Sequence, residues 1–217
     1  MSSDAWQSWY RRKEGTVEPE IPKLGELLWE NDASRILDFG CGAGRHLVYF
    51  AKKGFEVYGF DASETAIKRA REILNRENLF ADLRVWDMTK PLPYQDRFFD
   101  AVLALRVIHH TYMDNIKRSV KEIDRVLKGG GFLYLQVPAF SNKEILEWKQ
   151  KGLKIEEPEP RTYVHSSDSS GEEKGIPHHH FEKGELLRLF KNYYIEEIHC
   201  ATEHYRGYCL IARKKNQ

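Results

Sequence analysis

Arg35-Ile36-Leu37-Asp38-Phe39-Gly40-Cys41-Gly42-Ala43-Gly44-Arg45-His46 decides the fold. Ile36, Leu37 and Phe39 read as a short buried strand. Glycines follow at alternate positions, and then Leu47, Val48, Phe50 and Ala51 begin an apolar helical pattern. Strand, glycine turn and helix in that order form a ligand cradle. Glycine reaches φ > 0 and lets a bound molecule approach the backbone. Unpaired N–H groups and the dipole at the helix start favour an anionic group there.

The spacing narrows the ligand. A dinucleotide loop reads G-x-G-x-x-G, but here Gly44 comes one residue early and Arg45 stands where the last glycine belongs. A phosphate-binding P-loop ends in Gly-Lys-Ser/Thr, which is missing. The next strand, Glu56 to Phe60, ends in Asp61. An acidic residue about 20 positions past the glycines can accept hydrogen bonds from ribose hydroxyls. The loop therefore predicts an adenosine-like ribose and a small carboxylate, without a phosphate grip.

Ile36 to Gly44 resembles motif I of the class I S-adenosylmethionine-dependent methyltransferases. Val57-Tyr58-Gly59-Phe60-Asp61-Ala62-Ser63 resembles their ribose-binding motif. Phe98 through His110 resembles the fourth strand with its exit loop, and Arg125 to Gly131 the turn before the fifth. The order of the four motifs over 35–137 carries the likeness. It implies an α/β, Rossmann-like, doubly wound sheet of seven strands, mostly parallel with the last strand antiparallel. It also implies S-adenosyl-L-methionine as cofactor and S-adenosyl-L-homocysteine as product. Backbone around Gly40, Cys41, Gly42, Ala43 and Gly44 is expected to hold the methionine portion, with Asp38 and His46 beside it. Asp61 and Ala62 are expected at the ribose. Asp87 either receives the adenine amino group, with Met88 on the ring, or caps a turn before Pro91. Arg106 either grips the methionine carboxylate or is a surface residue.

The 217 residues suffice for a single α/β domain with a decorated edge, and formal net charge is +1. That balance argues against a basic nucleic-acid footprint. No apolar run approaches the roughly 20 residues of a membrane span, and the first residues lack a secretory core. Cys41, Cys200 and Cys209 have no paired spacing, so a reduced, cytoplasmic protein is expected. The expected partner is a small-molecule methyl acceptor, with neither nucleic acid nor membrane.

We read 1–217 as one domain. Residues 1–30 form a helical cover, 35–137 the cofactor core, 139–180 an insertion and 181–217 the closing helix and strands. In the cover, Trp9, Tyr10 and Arg11 either dock on the core or line the acceptor side. Ser63 reads as an N-cap. Ala101 to Leu105 is a continuous apolar run, as in a central strand buried on both faces. The glycines 129–131 are expected to stop a helix over 114–128. The insertion carries one short helical piece and then a polar stretch expected to be a mobile lid. The short connection between the last two strands makes them antiparallel.

Methyl transfer from a sulfonium is an in-line displacement that needs positioning and exclusion of water. A base, if the acceptor requires one, is sought at His109, His110 or Tyr10. His178-His179-His180 suggest metal, yet in an extended chain only His178 and His180 share a face, and no cysteine or carboxylate has diagnostic spacing. No metal is expected. No Asn-Pro-Pro-Tyr motif follows the fourth strand, which disfavours amide or adenine methylation. Two other readings stand beside this one: a cofactor-binding sensor without turnover, and an NAD-dependent oxidoreductase.

Overall fold

A computed structural model describes residues 17–165, 174–200 and 206–216. Its elements are α1 (Ile21–Glu30), β1 (Arg35–Phe39), α2 (Arg45–Lys52), β2 (Glu56–Asp61), α3 (Glu64–Arg76), β3 (Asp82–Val85) and β4 (Phe99–Leu105). There follow α4 (Met113–Val126), β5 (Leu127–Pro138), α5 (Asn142–Gln150), β6 (Ile155–Glu159), β7 (Thr162–His165), β8 (Pro177–His179), α6 (Lys183–Leu189), β9 (Tyr193–Cys200) and β10 (Gly207–Lys214).

The main sheet runs β3-β2-β1-β4-β5-β10-β9. β1, β2, β3, β4 and β5 pair in parallel, and β10 runs antiparallel to both β5 and β9. The expected sheet is therefore present. Alternation along the strands feeds two cores. Val102, Ala104, Leu133 and Leu135 join Ile116, Ile123 and Leu186 on one face. Ala101, Leu103, Phe132 and Tyr134 join Leu24, Leu28, Leu47, Phe50 and Ile67 on the other. Helices covering both faces explain why β4 reads as unbroken apolar sequence.

Local signals place the helices. The Ser63 Oγ accepts from the Ala66 N–H at 3.2 Å and starts α3. Gly54, at φ +88, ends α2 in the left-handed conformation. Pro22 sits in the first turn of α1, where its missing N–H costs nothing. Among the described residues no helix is long and apolar enough to cross a membrane.

Two expectations need correction. The glycines 129–131 do not merely stop a helix: α4 ends at Val126, and β5 starts at Leu127 and runs through them. A Cβ on Gly131 would lie 2.9 Å from the Asp100 carbonyl, so Gly131 lets β5 approach β4. The insertion is also no structureless stretch. Beyond α5 it forms a three-stranded antiparallel sheet, β6-β7-β8. Thr162, Tyr163, Ile176 and Phe181 are buried beneath it, while outward Glu and Lys give the segment its loop-like composition. Residues 166–173 lie outside the described residues.

Candidate functional site

Carboxyl ends of β3, β2, β1 and β4 lie side by side, the position where open α/β sheets take ligands. The turn after β1 is shaped by its glycines. Gly40 has φ +74, and a Cβ there would stand 2.3 Å from Val107 Cγ2 on the neighbouring exit loop. The Gly42 N–H donates to Asp61 Oδ2 at 3.0 Å, and the Ser63 N–H donates to Asp61 Oδ1 at 2.8 Å. Two backbone donors thus fix the Asp61 carboxylate at the tip of β2. The Cys41 N–H donates to the Phe60 carbonyl at 2.8 Å, locking turn to strand. Ala43 and Gly44 lead into α2, with Gly44 as its left-handed N-cap.

Asp87 stands beside this tip, because the Trp86 N–H donates to the Asp61 carbonyl at 2.9 Å. Its Oδ1 accepts from the Thr89 N–H at 2.9 Å and from the Thr89 Oγ1 hydroxyl at 2.8 Å. Asp87 therefore caps a turn, and the two roles expected of it are compatible. Met88 is buried next to it. Ala62 bridges Asp61 and Ser63.

A charged cluster closes the other side, and its centre was not foreseen. Glu18, in the segment before α1, contacts Arg45, His46 and Arg106 through both carboxylate oxygens. Burial alone would raise the Glu18 carboxyl, but the His46 hydrogen bond and the charges of His46, Arg45 and Arg106 outweigh it and hold it at about 2. Burial opposes charge on His46 too, yet Asp38 and Glu18 prevail and raise it. The His46 Nδ1 lies 3.6 Å from Asp38 Oδ2, an ion-pair contact longer than a hydrogen bond. Asp38 thus steadies the helix start through His46. Arg106 has φ +55, a costly conformation for a residue with a side chain. Its N–H donates to the Gln136 carbonyl at 2.8 Å. The sequence signal for Glu18 was the surplus of cations, Arg45, His46 and Arg106, around one turn.

His109 and His110 follow on the same exit loop and are 5% and 8% exposed. The His110 Nε2 contacts the Arg106 carbonyl at 3.0 Å. Burial pushes the His110 imidazole down to about 4 and His109 well below its usual value. The insertion docks on this loop: the His179 N–H donates to the His109 carbonyl at 2.9 Å, and the Met113 N–H donates to Glu159 Oε1 at 2.6 Å. The insertion therefore packs on the β4 exit loop, and the segment before α1 packs through Glu18 on the start of α2. Trp9, Tyr10 and Arg11 lie outside the described residues.

The residues fit an S-adenosyl nucleoside. A left-handed glycine turn leaves no room for a Cβ, a fixed carboxylate stands where ribose hydroxyls are expected, and cations flank the helix start.

Residues 37–135 match the family model of a methyltransferase domain. A tRNA (carboxymethyluridine(34)-5-O)-methyltransferase of Arabidopsis thaliana is 32% identical over 156 residues, covering 64% of this chain and 36% of that protein. A ubiquinone biosynthesis O-methyltransferase of Mesorhizobium japonicum is 33% identical over 101 residues, covering 46% and 39%. The crystal structure of a SAM-dependent methyltransferase from Methanosarcina mazei superposes with TM-score 0.74 at 23% identity, covering 94% of this chain and 100% of that one. The chain spans 36%, 64% and 50% of the length of the first three curated relatives it matches.

Proposed function

We propose that the chain is a class I S-adenosylmethionine-dependent methyltransferase, as the methyltransferase-domain match over 37–135 supports, and that it methylates a small-molecule acceptor held beneath the 139–180 insertion. The observation that carries the reading is the Asp61 carboxylate, fixed by Gly42 and Ser63 beside a glycine turn that excludes a Cβ. Asp61 would take the ribose hydroxyls. The backbone of Gly40 to Ala43 would hold the methionine portion, and Asp87 and Met88 would flank the adenine. Arg106 and Arg45 would face the methionine carboxylate. Bound S-adenosylmethionine supplies a methyl group on an already activated sulfonium. The chain's own work is to orient the acceptor and keep water out. His109 and His110, neutral and buried, stand on the acceptor side, where a proton acceptor is wanted.

Near-neutral charge and the enclosing insertion support a compact acceptor. A second reading, a tRNA acceptor, is favoured by the Arabidopsis relative, a tRNA methyltransferase.

Calorimetry with S-adenosylhomocysteine tests the cofactor: the native chain binds, and Asp61→Ala weakens binding by about 1–3 kcal/mol, the cost of unmade hydrogen bonds. No binding by the native chain refutes the methyltransferase reading. Methyl-labelled S-adenosylmethionine, offered with bulk tRNA or with a low-mass extract, then separates the acceptors. Label entering the low-mass fraction supports the first reading, and label entering tRNA replaces it with the second.

A further inference from the structure

Three elements bring histidines together at the acceptor side. His109 and His110 come from the exit of β4, His178 from β8, and His165 from the end of β7. Ring centroids of His109 and His110 lie 3.8 Å apart, those of His110 and His178 4.7 Å, and those of His165 and His178 6.1 Å. One ring nitrogen from each of His109, His110 and His178 lies within 4.8 Å of the others. The trio contains no carboxylate or thiol. The His109 Nδ1 is buried and makes no hydrogen bond among the described residues, and the same holds for His165 Nδ1.

The backbone dictates this convergence. Tyr163 pairs with His178 and Thr162 with His179 across β7 and β8. Alternation then sends His178 towards the exit loop and His179 to the opposite side, where it contacts Thr162 Oγ1 at 2.8 Å and Glu185 Oε2 at 3.1 Å. The spacing of 178–180 argued against metal because it considered only that run. The missing ligands come from the loop after β4, far away in sequence.

We propose that His109, His110 and His178 form a binding site for one divalent transition-metal ion of the zinc type, with His165 beside it. Imidazole donors suit zinc, copper, nickel and cobalt rather than magnesium or calcium. Three histidine ligands leave one coordination position for water or substrate, as in catalytic zinc sites. The ring contact of His110 Nε2 with the Arg106 carbonyl sets its tautomer: Nε2 carries the hydrogen and Nδ1 keeps the lone pair. With an ion bound, these histidines serve as ligands rather than as bases.

The full chain, stripped of metal with a chelator, is titrated with cobalt(II) and followed by visible absorption. The expected result is one cobalt per chain with ligand-field bands, displaced by one equivalent of zinc. His109→Gln and His178→Gln each weaken cobalt binding by at least about tenfold, since even outer-shell partners are worth that much. Glu20→Gln, which breaks the other potential group of Glu20, His199 and Cys209, leaves binding unchanged. Native thermal melting and circular dichroism of the variants separate ligand loss from unfolding. Electron spin-echo spectroscopy of the copper(II)-loaded native chain needs no variant, and two or more coordinated imidazoles support the site. The proposal is overturned by absence of stoichiometric binding, by binding that survives both histidine substitutions in folded variants, by binding lost with Glu20→Gln, or by one or no coordinated imidazole.

Discussion

Gly40 shows how much one hydrogen atom can decide. Its φ of +74 and the Val107 methyl 2.3 Å from its virtual Cβ leave room for no side chain. Gly40→Ala is expected to lower stability by about 1–3 kcal/mol through strain and overpacking, read by urea denaturation, and to weaken S-adenosylhomocysteine binding. Glu18 carries the pH dependence. Its carboxyl is held at about 2 when folded against an ordinary 4.5, so its stabilisation is complete above about 4.5 and fades as pH falls towards 2. His46 works in the other direction: its raised value stabilises fully below 6.5, and the gain is lost as pH rises through the folded value. Glu18→Gln should therefore cost about 1–3 kcal/mol between pH 5 and 6. The difference in melting temperature from the native chain should narrow on both sides of that window. On the alkaline side it persists in part, because Arg45 and Arg106 stay charged. A difference that does not vary with pH would contradict the coupling of Glu18 to His46.

At the scale of the element, the chain announces what repeats locally and conceals what depends on distant partners. The glycine turn, the apolar run of β4 and the Ser63 cap are short-range signals, and each stands where the sequence puts it. Ser63→Ala should remove the α3 cap and cost about 1 kcal/mol, checked by the shift in denaturation midpoint at constant slope. The insertion was illegible for a physical reason. Its strands are short, and their outward positions are glutamates and lysines. They exist because Phe181 joins the core of α4 and β5 and Tyr163 packs on Trp148 of α5, which no window of sequence displays. Glu18 and the histidine trio were hidden in the same way, since each depends on side chains contributed by separate loops.

For the whole molecule, β10 is the closing element. It pairs antiparallel with β5 and with β9 and so ties the parallel core to the last helix and strand. The Lys214 ammonium, 7% exposed, donates to the Leu127 carbonyl at 3.0 Å and to the Asp124 carbonyl, capping the end of α4. Cys209 on β10 and Cys41 in the glycine turn share one core. Burial pushes both thiols up, which suppresses the reactive thiolate. Both should resist a disulfide reagent in the native state and react together only as the domain unfolds. Mass mapping over a denaturant series checks this, and early labelling of Cys209 alone would show that β10 peels away first.

The contact of Glu18 with Arg45 and Arg106 bears on traffic as well as on stability. The segment before α1 spans two loop ends with the glycine turn between them. If Arg45 and Arg106 take the methionine carboxylate as proposed, an incoming carboxylate competes with one the chain already supplies. Exchange of ligand would then be a substitution of one anion for another, with the protein's own anion as the resting occupant. On that reading the return of Glu18 would hasten release of product, and the same charge that slows entry would speed departure.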